Sequence, residues 1–284
     1  MPEPIIQKIE PHPQLKPFID AYYYFEGSLE ESSTIFEPSG AGLVLTSIVE
    51  GGGYFYNRES QKKRIIGTQL FGPHNAPNQY VLEGNVFKMM NIVIKPIGAT
   101  LLFKESMPSL QNEVINVNDT LPYEKRWDLE DMVGTHAKSE VLGPLFDKYF
   151  FSLFPSDEQY RRACMAYEIK LYLDAHGGQV SSKDVCSYFH ASEQHLRRRF
   201  KEYVGFSPKM YSRIMRFRED FVQSIESLDG LPFSDSKNYY DQSHRIRNFK
   251  EFTGFTPGQL PKESFHMAYL MMKATAQGLH NRTF

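Results

Sequence analysis

Apolar positions keep two different periods along this chain. From about Ala21 to Phe103 they fall in short runs, "AYYYF", "AGLVLTSIV", "GGYFYN", "RIIGTQLFG", "QYVLEG" and "VFKMMNIVIKP", rich in Val, Ile, Tyr and Phe and parted by Gly, Asn or Pro. Such runs, recurring at about 8 to 12 residues or a little more, predict the strands of a β-sandwich or small barrel. Alternation within "AYYYF" sends Tyr22 and Tyr24 to one face of the sheet and Tyr23 to the other. Between Ser106 and Tyr160 the texture is mixed and helical, broken at Pro108, Pro122, Pro144 and Pro155. After Tyr160 the spacing turns to three and four: Ala163, Ala166, Tyr167, Ile169, Leu171 and Leu173 share a broad helix side that ends at Gly177 and Gly178. About seven short helices are expected from there on. The fold class that follows is α+β in two domains. Residues 1–105 form the β-rich domain, 106–159 a helical linker, 160–265 an all-α domain and 266–284 a C-terminal extension.

One stretch of the helical half is written twice. "FKEYVGFSP" runs from Phe200 to Pro208 and "FKEFTGFTP" from Phe249 to Pro257, with six of nine letters shared at an offset of 49 positions. Each copy closes one helix and opens another. Phe200 and Tyr203, like Phe249 and Phe252, sit three apart and share a buried face. Gly205 and Gly254 suit the left-handed residue that stops a helix. Ser207 and Thr256 suit the next N-cap, and Pro208 and Pro257 the turn after it.

Composition narrows the setting. The chain has 284 residues, 41% of them hydrophobic and 14% aromatic, enough to bury a core in each half. Two cysteines, Cys164 and Cys186, supply neither a disulfide framework nor a zinc pattern, which fits a reducing compartment. No signal-peptide pattern and no run of about 20 apolar residues occurs, so the expected location is cytoplasmic, with no membrane partner. Residues 160–265 carry 17 Lys+Arg against 13 Asp+Glu, whereas residues 1–159 carry 13 against 21. The helical half is thus the one able to attract a polyanion, although the surplus is modest and charged helix faces are usually just solvated.

Ahead of the first joint, "VSSKDVCSYFHASEQHLRRRF" reads as a short helix, a tight turn at His190 and Ala191, and a second helix capped by Ser192, which is helix-turn-helix grammar. With Leu196, Phe200 and Tyr203 inward, Glu193, Gln194, Arg197, Arg198 and Lys201 face out. Arg and Gln suit base edges in a major groove, and a solvated basic face is the plain alternative. "ASEQHLRRRFKEYVGFSPKMYSRIMRF" followed by "YYDQSHRIRNFKEFTGFTPGQL" resembles the DNA-binding domain of AraC-family transcription regulators over about 100 residues. The resemblance implies two helix-turn-helix units joined by a long helix from Pro208 to about Leu228, reading one face of double-stranded DNA about 34 Å apart. Carried over by position, it makes Gln194, Arg197 and Arg198 the base readers of the first unit and Gln242, Ser243 and Arg247 those of the second. Lys201 and Lys250 are placed for phosphate.

The second unit departs from that pattern. Its supporting stretch, "FSDSKN", is short and polar, with Ser234 and Asn238 where the family has a small residue and a Gly. Arg245 stands where the family has Phe, four before Phe249 on the side expected to be buried. It must snorkel, pair with an acid such as Asp241, or mark a loosened core. The expectation is a second unit that is less stable and reads less sequence than the first.

The first half, through "PHPQLKPFIDAYYYFEG", "FEPSGAGLVLTSI" and "VIKPIGATLLF", is similar to the cupin-like N-terminal domains of a subgroup of these regulators. That implies a module that senses a small molecule or forms a homodimer, with RNA polymerase a further partner of the family. An aromatic pocket from Tyr22, Tyr23, Tyr24, Tyr54 and Phe55 is conceivable, though core packing is the commoner use. Cupin enzymes hold a metal with closely spaced His, and His12 and His74 lack such partners. No phosphate loop or nucleophile elbow occurs. No catalytic residue, cofactor or metal is assigned. A protein-interaction module with weakened DNA binding is the second reading.

Overall fold

In the computed structural model the described residues are 5–28, 32–37, 42–56, 62–98, 107–117, 139–153, 156–228, 242–261, 264–265 and 268–269. The first half is an antiparallel sheet of seven strands: β1 (Ile5–Ile9), β2 (Ile19–Ser28), β3 (Ser32–Glu37), β4 (Leu43–Tyr56), β5 (Lys63–Phe71), β6 (Asn78–Ile94) and β7 (Val114–Asn116). Their order is β1-β2-β6-β4-β5-β7, with β3 against the first part of β6. Among the described residues the helices include α1 (Met107–Leu110), α2 (Ser139–Ser152), α3 (Asp157–Ala175), α4 (Ser182–Tyr188), α5 (Glu193–Val204), α6 (Pro208–Leu228) and α7 (Gln242–Thr253). The expected α+β architecture is therefore the one observed.

Six apolar runs become four strands. "AGLVLTSIV" and "GGYFYN" fuse into β4, and "QYVLEG" and "VFKMMNIVIKP" into β6, because the β4–β6 ladder slips on either side of Glu50 without breaking. A bulge of this kind bends a strand and re-aims it while the pairing resumes beyond. The sequence reading missed β1, β3 and β7, which are short and contain polar positions. β1 and β7 are the outer strands of the sheet. β7 lies in the stretch expected to be helical; Val114, Ile115 and Asn116 pair there with Phe71, Leu70 and Gln69 of β5.

The two faces of the sheet do different things. Tyr22, Tyr24, Leu43, Leu45, Leu70, Met90, Ile92 and Ile94 form one core with Leu142, Phe146, Tyr149 and Phe150 of α2 and Ala163 and Ala166 of α3. On the opposite face lie two smaller clusters, Ala21, Tyr23, Phe25 and Phe87 in one and Ile48, Phe55, Ile65, Phe71 and Val114 in the other. Tyr23 thus parts from Tyr22 and Tyr24 as the alternation requires. A polar row crosses this second face, since Tyr23 is opposite Asn91, Asn91 opposite Thr46, and Thr46 opposite Gln69.

The helical half has its own core around α6, in which Phe217, Phe221, Phe249, Phe252 and Phe265 are buried together with Leu196, Phe200 and Tyr211. It also touches the sheet. Tyr203 enters the core of the first half, and Phe36 of β3 packs on Phe255 (5.1 Å between ring centroids) and Phe265 (5.3 Å). Ala268 is buried and the Tyr269 hydroxyl donates to Glu226 Oε1 at 3.1 Å, so the start of the tail docks on its own domain.

Candidate nucleic-acid interface

The first unit is built as its residues dictate. Ser181 caps α4 by accepting from the Asp184 N–H (3.2 Å), and the Asp184 carboxylate accepts from the Ser181 N–H in return (3.1 Å). The Ser181 hydroxyl also donates to that carboxylate (2.7 Å), and this bond, with the one from the Ser181 N–H, holds the Asp184 carboxyl below its ordinary pKa. The chain turns at His190, whose φ of 48° is left-handed. Ser192 then caps α5 by accepting from His195 N–H at 3.3 Å. Ser192→Ala is expected to cost about 1 kcal/mol, read as a lower midpoint in urea denaturation of the full chain.

On α5, Leu196, Phe200, Tyr203 and Val204 are buried. Glu193, Gln194, Arg197, Arg198 and Lys201 are exposed. Arg199 pairs with Glu202 at 3.4 Å. The far end of the helix is covered by the first half: a Cβ placed on Gly205 would lie 3.3 Å from both Met107 O and Pro73 Cγ. The outward basic face is left open, so the β-rich half does not seal it.

Both copies of the repeated joint close as read. Gly205 has φ 89° and Gly254 φ 84°, left-handed values that an L side chain rarely adopts. Ser207 accepts from Met210 N–H at 3.3 Å. Thr256 departs from its twin: its hydroxyl bonds the Gln259 side chain, and a single tight turn, Pro257–Gln259, follows in place of a long helix. Thr253 stands where the first copy has Val204, and its hydroxyl bridges Phe249 O (2.7 Å) and Phe255 N (3.0 Å), tying the joint with side-chain bonds.

Helix α6 is bonded to α3 and the turn after it on one side and to α7 on the other. On the first unit's side Tyr211 donates to Asp174 Oδ1 (2.5 Å), Lys170 pairs with Asp174 Oδ2 (2.5 Å), and Arg216 donates to Gly178 O. Burial works against the charge on Lys170, but Tyr211 and Asp174 outweigh it and raise its pKa. On the second unit's side Arg213 donates to Asn248 Oδ1 (2.6 Å) and Glu251 Oε2 (2.7 Å), its guanidinium 5.2 Å from the centre of the Phe252 ring.

Arg245, the departure that raised three alternatives, is buried and paired. Its Nε donates to Asp220 Oδ1 at 2.6 Å and its Nη2 to Ser224 Oγ at 3.1 Å. Asp220, an acid on α6, is thus a partner of Arg245; Asp241, like the "FSDSKN" stretch, lies outside the described residues. Burial pushes the Asp220 carboxyl up while Arg245 pulls it down. An ion-pair seam thus takes the place of the apolar contact the family pattern has here.

On α7, Gln242, Ser243, Arg247 and Lys250 are exposed, as the carried-over positions require. Arg247 Nε donates to Ser243 O of its own helix at 3.3 Å. Ile246, which the sequence reading passed over, is exposed among them. The 49-residue offset maps it onto Arg197 and was the signal that would have found it.

Tyr22, Tyr23, Tyr24, Tyr54 and Phe55 do not gather into one group, and Tyr22, Tyr23, Tyr24 and Phe55 take the core-packing role that was the commoner expectation. Tyr22 donates to Asp147 Oδ1 (2.9 Å) against α2, Phe55 meets Phe71 and Tyr80 on the other face, and Tyr54 lies under Lys62 Nζ (3.5 Å). Tyr23 and Asn91 of the polar row are 3% and 9% exposed, and the Tyr23 hydroxyl and Asn91 Oδ1 have no hydrogen-bond partner among the described residues. Burial, with Asp20 and Glu10 adding, pushes the Tyr23 phenol up to about 12. His12 accepts from Gln14 N–H at 3.3 Å and His74 is buried 3.4 Å from Gly72 O. Among the described residues no group of three His, Cys, Asp or Glu is placed to hold a metal, and no helix is long and apolar enough to cross a membrane.

A family model described as a domain of unknown function (DUF6597) matches residues 7–116. No curated protein matches the chain. Among solved structures, ToxT from Vibrio cholerae O395 is similar at 12% identity and a TM-score of 0.45, over 90% of this chain and 98% of that one. ToxT from Vibrio cholerae strain SCE256, with an unsaturated fatty acid bound, is similar at 10% identity and a TM-score of 0.42, over 83% and 92% of the two chains. Vicilin from hazelnut, Corylus avellana, is similar at 12% identity and a TM-score of 0.26, over 52% of this chain and 41% of that one.

Proposed function

We propose that the chain is a sequence-specific transcription regulator whose helical half binds double-stranded DNA and whose β-rich half senses a small molecule or joins two copies. One observation carries the reading: α5 and α7, related by the 49-residue repeat, both turn cationic and amide side chains to solvent while their inward sides pack on a single helix, α5 through Phe200 on Tyr211 and α7 through Arg245 on Asp220. Two outward faces fixed to one strut suit successive grooves of a duplex. Gln194, Arg197, Arg198, Gln242, Ser243 and Arg247 are the proposed base readers, and Lys201 and Lys250 the phosphate contacts. The setting is cytoplasmic, with RNA polymerase as a further partner.

For the sensing half, support comes from the polar row. A buried donor or acceptor without a partner costs about 1–3 kcal/mol, so a ligand that donates to Asn91 Oδ1 and bonds the Tyr23 phenol relieves a penalty the fold already carries.

Binding of the full chain to duplex DNA between roughly 50 and 200 mM salt tests the DNA reading. The logarithm of affinity should fall with a slope of about −0.9 per phosphate contacted. A flat response would reject it in favour of a protein-interaction module built on the same helices.

A further inference from the structure

Of the outward positions at which α5 and α7 differ, Glu193/Gln242, Gln194/Ser243 and Arg197/Ile246, the last alone sets an apolar side chain in α7. Where α5 presents Arg197, α7 presents Ile246, a branched aliphatic residue 38% exposed and ringed by Gln242, Ser243, Arg247 and Lys250. A single exposed aliphatic residue is ordinary on a protein surface. This one is not placed like the others. It lies in the second turn of the helix, at the position where the first unit puts a guanidinium, and the internal repeat fixes that correspondence without reference to any other protein.

Nor is Ile246 able to roll inward. Its neighbours Arg245 and Asn248 are both tied to α6, Arg245 through Asp220 and Ser224, Asn248 through Arg213. Phe249 and Phe252 pack on Phe217 between them. With those positions held on the inward side, helical geometry keeps Ile246 on the outward one. The bulk of an isoleucine, fixed in rotamer by its branched Cβ, is then offered to whatever meets this face.

In the major groove one base edge carries an apolar group, the 5-methyl of thymine, and aliphatic side chains contact it. We propose that Ile246 is a specificity-determining residue of the second unit that packs on a thymine methyl. The two units then divide the reading. The first, through Gln194, Arg197 and Arg198, selects purine edges by hydrogen bonds, and the second selects thymine by an apolar contact flanked by Gln242 and Arg247. The inference rests on the DNA-binding reading above and adds to it the base that the second unit requires.

The test starts from duplexes recovered by the full chain from a random-sequence pool. In a recovered site each thymine is replaced singly by deoxyuridine, which removes the methyl and leaves the pairing intact. At one or two positions this should weaken the wild-type protein about fourfold, the effect of one buried methyl-sized group. Ile246→Ala should bind the unsubstituted site weaker by a similar factor and show no further loss at those positions. Ile246→Arg, which copies the first unit, should recover guanine there from the pool. Circular dichroism and urea midpoints equal to wild type are expected for both variants, because the side chain is exposed. If no deoxyuridine position weakens the wild type, or if Ile246→Ala keeps the same sensitivity, the proposal fails while salt-dependent binding leaves the DNA reading intact. Absence of salt-dependent binding to every duplex overturns both.

Discussion

Asp220→Ala is expected to lower the unfolding free energy of the full chain by about 3–5 kcal/mol, the usual cost of leaving one member of a buried ion pair alone. Asp220 is 0% exposed and Arg245 8%, so the stranded guanidinium has no ready route to water. Its bond to Ser224 Oγ is to a neutral partner and offsets little of the lost charge pairing. Asp220→Ala combined with Arg245→Leu should regain most of the loss, because an apolar pair of similar volume is often as stable as the ion pair it replaces. Urea denaturation of the three proteins decides the matter. A loss under about 1 kcal/mol in Asp220→Ala alone would mean that Arg245 swings out to solvent along its aliphatic stem. The same variant bears on the second unit, since Arg245 is among the residues that tie the inward side of α7 to α6.

Arg197→Ala together with Arg198→Ala is expected to weaken duplex binding by about thirtyfold or more at moderate salt, taking about 1–3 kcal/mol for each good base contact. Both side chains are exposed and lie on a helix whose buried side does not involve them, so the fold should be unaffected. Arg247→Ala should cost less than Arg198→Ala, because Arg247 already donates to the Ser243 carbonyl and must give up that bond to reach a base. Titration of one recovered duplex with each variant checks the order. An equal or larger loss from Arg247→Ala would overturn the expectation that the first unit reads more sequence than the second.

Period and punctuation in the sequence carried the helices of residues 157–228 and 242–253. Gly205 and Gly254 end helices because few other residues take up that backbone angle, and Ser192 and Ser207 begin them because a short hydroxyl side chain satisfies the free amides nearby. These are local effects within a few residues, so the letters alone reveal them. The outward set on α5 was legible for the same reason: Leu196, Phe200 and Tyr203 name the inward stripe, and what remains must face out.

The β-rich half was less legible. Runs such as "AGLVLTSIV" and "GGYFYN" look separate because glycines part them, yet they are one strand, since a bulge near Glu50 lets the ladder to β6 resume. β1 and β7 were missed because an edge strand, paired on one side, needs little of the apolar pattern that marks a central one.

What the chain's letters determined by themselves is therefore whatever depends on neighbours in sequence: helix ends, the repeated joint, the inward and outward sides of α5. What only the tertiary structure decided is whatever depends on residues far apart. Arg245 was ambiguous because its partner, Asp220, is 25 positions away on another helix. No periodicity encodes such a meeting. Coulomb attraction acts through space, and which charges meet is set only when Phe217 and Phe221 pack against Phe249 and bring the two helices together.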